Sequence, residues 1–161
     1  VVYEPTLFAV IDQASSPPND ADGIRGAVAD AVTALDAGDR YAAARSFIDY
    51  WSGDGAWAAI PEQRKPQIAA QAVNVRRWAH ALMREPTPLA AFAALDVPVL
   101  YLTGGRSTAS ARGVTRLLAP MLPRVEVFEF AQLGHMGPVT DPATVDPVIE
   151  RFLLAHRADG A

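Results

Sequence analysis

Apolar residues recur at helical spacing through the middle of the chain. Ile24, Val28, Ala31, Val32 and Leu35 share one face of a helix that Gly38 can close, because glycine accepts the left-handed backbone of a helix C-terminus. Asp39 can cap the next helix, whose apolar face is Tyr41, Ala44, Phe47, Ile48 and Trp51 and which Gly53 ends. A third stripe, Ile68, Ala72, Val75, Trp78 and Leu82, follows the proline-interrupted "DGAWAAIPEQRKP" and stops at "REPTP". Thr87 with Pro88 opens a short helix through Ala94. Ala21 to Leu95 thus reads as nearly all helix.

The period then changes. "VPVLYLTGG" is a continuous apolar run of the kind buried on both faces of a parallel sheet, and a helix follows with Val114, Leu117, Leu118 and Met121 inward. "RVEVFEFA" alternates, which suits a strand nearer a sheet edge. A last helix carries Val148, Ile149, Phe152 and Leu153 inward, with Asp141-Pro142 and Asp146-Pro147 competing as its start. At the other end, Val1 to Tyr3 reads as a strand end stopped by Pro5, and the stretch to Asp22, with its "SSPPND", reads as a crossover loop. Strand, helix, strand, helix with short connections predicts a parallel α/β arrangement. The opening inside a strand, without an initiator methionine, gives the expectation of a cut end.

Composition narrows the function classes. Half of the 161 residues are apolar, enough for one compact unit with a core. A net charge of -4, with no Lys/Arg run longer than a pair, argues against nucleic acid or an anionic membrane as partner and leaves a small-molecule substrate. The chain has no cysteine, which removes disulfides and thiolate metal sites. No apolar run approaches the roughly 18 residues of a membrane span, so a cytoplasmic protein is expected.

"FAQLGHMGP" sets His135 between two glycines in the loop after the strand Val125 to Phe130, at the carboxyl end of a parallel sheet where ligands bind. Gly134 and Gly137 give that loop backbone freedom to project the imidazole into a cleft. The order "VPVLYLTGGRS", a helix, "RVEVFEFAQLGHMGPVTDPATV" and an amphipathic helix ending near Arg157 resembles the C-terminal portion of the α/β-hydrolase fold family. The "VVYEP" start followed by a helical insertion is similar to that family's sixth strand leading into a cap. The resemblance implies a partial parallel sheet with a helical cap, divided as 1-20 (strand end and crossover), 21-95 (cap or lid) and 96-161 (C-terminal part of the core). It implies hydrolysis of an ester or similar acyl bond with His135 as general base and no cofactor or metal.

The departures from that family are informative. Its nucleophile lies in a G-x-S-x-G turn before the acid and the histidine, and no such turn stands in the expected place here. The expectation is therefore a portion inactive without a nucleophile half, pairing with that half or self-associating through an open sheet edge. Gly105-Arg106-Ser107-Thr108-Ala109 imitates the turn, but Ser107 stands where the family usually keeps its catalytic Asp. Three uses of Ser107 compete: helix N-cap, preferred, competing with Thr108 and Ser110; nucleophile; or part of a phosphate cradle made by Gly104, Gly105 and the amides of the following helix, with Arg106 adding charge. Some family members carry the acid after the sixth strand instead, which points to Glu4, with Asp12 in reserve.

Trp51, Trp57 and Trp78 all fall in the helical segment, where they pack helices together or line an apolar substrate pocket. His80 and His156 read as surface or helix-end residues, and the three histidines lack metal-ligand spacing. The competing reading of the whole is a non-catalytic α/β binding module, or a subunit that completes its sheet with another chain.

Overall fold

The computed structural model describes residues 1–157. Its sheet has three parallel strands in the order β1 (Val2–Tyr3), β2 (Val99–Gly104), β3 (Val125–Phe130). Val2 pairs with Tyr101 and Tyr3 with Leu102, while β2 and β3 pair from Val99–Val125 to Gly104–Phe130. β2 is central and almost wholly buried, which is why its sequence is continuously apolar. β3 has β2 on one side alone among the described residues, and accordingly exposes Glu126, Val127 and Glu129.

Side chains alternate across β2 and so divide between two cores. Tyr101 packs with Phe8, Val10, Ile11, Ile24 and Val114 on one face. Leu100 and Leu102 meet Phe130, Val145, Val148 and Phe152 on the other. Helices thus cover both faces of the sheet, the layered arrangement of α/β proteins.

Between β1 and β2 come α1 (Ala9–Ala14), α2 (Asp22–Asp36), α3 (Arg40–Ser52), α4 (Ala56–Ala59), α5 (Lys65–Gln71) and α6 (Val75–Met83), then a 3-10 segment over Leu89–Ala94. α2 and α3 form the expected hairpin. Gly38 turns the chain at φ +78°, and the Asp39 carboxylate accepts the Ala42 N–H at 2.8 Å, satisfying an N-terminal amide that has no partner within the helix. A third core, rich in alanine, joins Ala31, Ala43, Ala44, Ala69 and Ala72 to Trp57 and Val75.

The structure departs from the sequence-based expectations at several points. The segment read as a crossover loop contains α1, whose Val10 and Ile11 are buried with Phe8. Six residues span fewer than two turns, too few for a helical period to show. The stripe Ile68 to Leu82 is two helices joined by a 3-10 turn at Ala72–Asn74. That turn sends Ile68, Ala72 and Val75 to the alanine-rich core, and Trp78 and Leu82 to a cavity near His135.

α7 (Ala109–Leu118) leads from β2 to β3, and α8 (Gly137–Thr140) precedes α9 (Pro142–Ala155). Asp141 wins the competition to start the last helix. Its carboxylate accepts from the Thr144 N–H at 3.2 Å, Pro142 takes the first turn, and Pro147 falls inside the helix. This phase turns Val145, Val148 and Phe152 inward, whereas Leu153, expected inside, is 54% exposed because each residue advances about 100° around a helix.

Candidate active site

The carboxyl ends of all three strands lie at one edge of the sheet, and the candidate residues sit there. His135 follows β3 in a loop tied down at several points. The Leu133 amide donates to the Phe130 carbonyl, the Arg106 amide donates to the Leu133 carbonyl, and the Tyr3 phenol donates to the Gly134 carbonyl at 2.8 Å. Burial, then the nearby Glu4 charge, pushes the Tyr3 phenol up to about 12, so it stays protonated and able to donate near neutrality. The two glycines beside His135 do not act as expected, since neither adopts a positive φ. Gly137 is required for room instead: a Cβ there would run into the Tyr3 phenol.

Glu4 stands at the end of β1, where its amide still donates to the Leu102 carbonyl at 3.0 Å. Its φ of +42° is a left-handed conformation that costs a non-glycine residue about 1–3 kcal/mol. The turn carries the side chain to the end of β2, where it is 1% exposed. Oε1 accepts the Gly104 N–H at 2.7 Å and the Thr103 hydroxyl at 3.0 Å. Oε2 lies 3.0 Å from His135 Nδ1. Burial pushes this carboxyl up, but hydrogen bonds from His135, the Gly104 amide and Thr103, with the Ser107 hydroxyl nearby, together outweigh it and hold Glu4 below its ordinary value. The group is therefore an ionised acceptor near neutrality, and Nδ1 must donate to it, which leaves Nε2 as the basic nitrogen.

The other candidates separate clearly. Asp12, the reserve acid, lies on α1 with 40% of its side chain exposed and pairs with Arg25. Ser107 is 5% exposed and does not cap α7; Thr108 does, accepting the Ala111 N–H at 3.4 Å. The Ser107 hydroxyl bears on the Glu4 carboxylate but makes no hydrogen bond of good geometry, and its Oγ is otherwise unpartnered. The turn amides that a phosphate cradle would use are already spent: Gly104 donates to Glu4, Gly105 to Phe130, Arg106 to Leu133 and Ser107 to Gly104. Arg106 itself pairs with Gln132.

The tryptophans also part company. Trp51 lies over the His135 ring at 4.0 Å between centroids and 29° between planes, and its other neighbours are Phe8, Phe47 and Tyr50. Trp51 and Trp78 border a cavity of about 170 Å³ that reaches His135. Trp57 does not. It is buried in the alanine-rich core, beneath Lys65, because α4 turns it toward α3 and α5. His80 is exposed, and His156 donates from Nδ1 to the Phe152 carbonyl at 2.9 Å near the end of α9.

Tyr3 and Thr103 were not singled out from the sequence, although both hold the pair in place. The signal available for Tyr3 was adjacency to Glu4 on a strand ending beside the histidine loop. Among the described residues no group of His, Asp or Glu side chains is placed to hold a metal ion, and no helix is long and apolar enough to cross a membrane.

No family model, curated protein or solved structure matches the chain.

Proposed function

We propose that the chain is part of an α/β-hydrolase fold enzyme, in which His135 is the general base, Glu4 the carboxylate that orients it, and the helices between β1 and β2 a lid over the site. The observation that carries this reading is the 3.0 Å contact between Glu4 Oε2 and His135 Nδ1, made by a buried carboxylate in a strained backbone conformation. Strain of that kind concentrates at functional sites.

The chemistry is the hydrolysis of an ester or similar acyl bond. A hydroxyl nucleophile gives its proton to Nε2 as its oxygen attacks the carbonyl carbon. Glu4 steadies the resulting imidazolium through Nδ1–H, and the imidazolium then protonates the departing alkoxide. Water repeats the sequence to release the acid.

Among the described residues the His135 ring makes one hydrogen bond, to Glu4. The reading therefore takes the nucleophile and the oxyanion donors from outside those residues. By itself the chain is expected to hydrolyse p-nitrophenyl esters no faster than free imidazole. Rapid labelling of Ser107 by a fluorophosphonate would contradict this. The deciding experiment reads the coding sequence upstream of Val1 for a G-x-S-x-G turn and assays the polypeptide that carries it. Both His135→Ala and Glu4→Gln should lower kcat/KM, by on the order of 10³–10⁴. Turnover indifferent to both substitutions would overturn the assignment and leave a non-catalytic binding module.

A further inference from the structure

His135 borders two cavities. The smaller, about 170 Å³, ends among Phe8, Ile24, Val28 and Leu82. The larger, about 300 Å³, ends among Ile48, Ile68, Ala72 and Val75. They share four lining residues, Phe47, Trp51, Trp78 and His135. The aromatic three form a partition, with Phe47 lying 6.2 Å from Trp51 and 6.5 Å from Trp78 between ring centroids. Neither cavity is lined by an Asp, Glu, Lys or Arg, and besides His135 the polar side chains are Thr6 in one and Ser52 and Gln71 in the other.

We infer that these cavities are the two lobes of one binding site, and that its ligand is an uncharged ester with an apolar arm in each lobe, the smaller arm in the smaller lobe. The inference rests on the hydrolase reading for the ester that joins the arms. Everything else in it comes from the walls. A ligand lying across the partition has its central bond beside the one residue with acid–base chemistry that both lobes share. Size sets the arms: an apolar cavity of about 150 Å³ holds a benzene ring, so the smaller lobe accepts a short alkyl group or one ring and the larger lobe a ring with substituents. Charge is disfavoured because neither lobe is lined by an Asp, Glu, Lys or Arg to pair a carboxylate or an ammonium stripped of water, and His135 already has Glu4 as its carboxylate partner. Trp78, 46% exposed, is the rim through which such a ligand enters.

The test titrates the full chain with benzyl butanoate and follows the indole N–H resonances of Trp51, Trp57 and Trp78. Trp57 is an internal reference, since it lines neither lobe. Saturable shifts at Trp51 and Trp78 with Trp57 unmoved are expected, as is binding at least 100-fold weaker for 4-carboxybenzyl butanoate. Val28→Phe, which fills the smaller lobe, should weaken benzyl butanoate about tenfold and benzyl acetate less than twofold. Ile68→Trp, which fills the larger lobe, should weaken both esters about tenfold, and keeps the assignment open to refutation if Val28→Phe does not fold. No saturable shift, equal shifts at all three indoles, equal binding of the carboxylate, or equal effects of Val28→Phe on both esters would overturn the two-lobe site. Binding is read without turnover, so a failed titration leaves the His135–Glu4 proposal standing, while tight binding with turnover indifferent to His135 removes that proposal alone.

Discussion

The sheet edge and the helical layer above it are built on opposite rules. At the sheet edge both oxygens of Glu4 are committed at short range, to Thr103, Gly104 and His135, and the sheet's second core is filled by large side chains such as Leu100, Leu102, Phe130 and Phe152. In the helical layer, alanines let α2, α3 and α5 approach closely, and the larger side chains around Trp51 leave two cavities unfilled. Dense packing fixes geometry to fractions of an ångström, whereas loose packing leaves volume for a guest. The contrast assigns rigidity to the acid–base pair and capacity to the helices.

Substitutions can break that contrast or sharpen it. The largest expected effect is at the packed core of the sheet, where Leu102→Ala should lower unfolding free energy by about 3–4 kcal/mol in urea titration. Leu82→Ala, beside an existing cavity, should cost distinctly less, and equal losses would erase the distinction. Next comes Gly104→Ala. A Cβ at Gly104 would meet the Leu133 carbonyl oxygen at 2.5 Å and Ser107 Oγ at 2.8 Å. The expected cost is about 2–3 kcal/mol, together with loss of the Glu4–His135 contact, visible as a changed His135 ring resonance.

Glu4→Gln should cost about 1–2 kcal/mol at neutral pH and change the shape of the stability–pH curve. Folding holds the Glu4 carboxyl below its ordinary 4.5. Its contribution is thus complete above that pH and fades as pH falls through the lowered folded-state value. The wild-type curve should show this acid limb, and the glutamine variant should show less of it. A variant with the same acid limb would mean that other carboxylates govern it. The smallest effect has the opposite sign: Ala79→Leu, directed into the smaller cavity, should stabilise the chain by about 0.5–1 kcal/mol. Destabilisation there would show that the helical layer is packed as tightly as the sheet.

Strands β2 and β3, the α2–α3 hairpin and its glycine and aspartate caps were all legible, because each is announced by a local pattern that burial then agrees with. The position of His135 at a strand's carboxyl end was equally local. What escaped depended on contacts between distant segments. Helix α1 is held by burial of Phe8, Val10 and Ile11 rather than by its own period. Trp51 falls on a helix face and Trp57 in the proline-interrupted stretch after it, and only the fold sends the first to His135 and the second to Lys65. Nor does sequence show that the amides after β2 would be spent on a carboxylate and on carbonyl oxygens.

β1 pairs just two residues with β2, Val2 with Tyr101 and Tyr3 with Leu102. Those two pairings decide whether the next residue reaches the Gly104 amide and whether Tyr3 reaches the histidine loop. Sliding by one residue moves a strand about 3.3 Å and reverses its faces, more than a hydrogen bond of 3.0 Å survives. The acid–base pair consequently has no partially aligned version. It is encoded like a digit, present in one alignment of a very short strand and absent in every other.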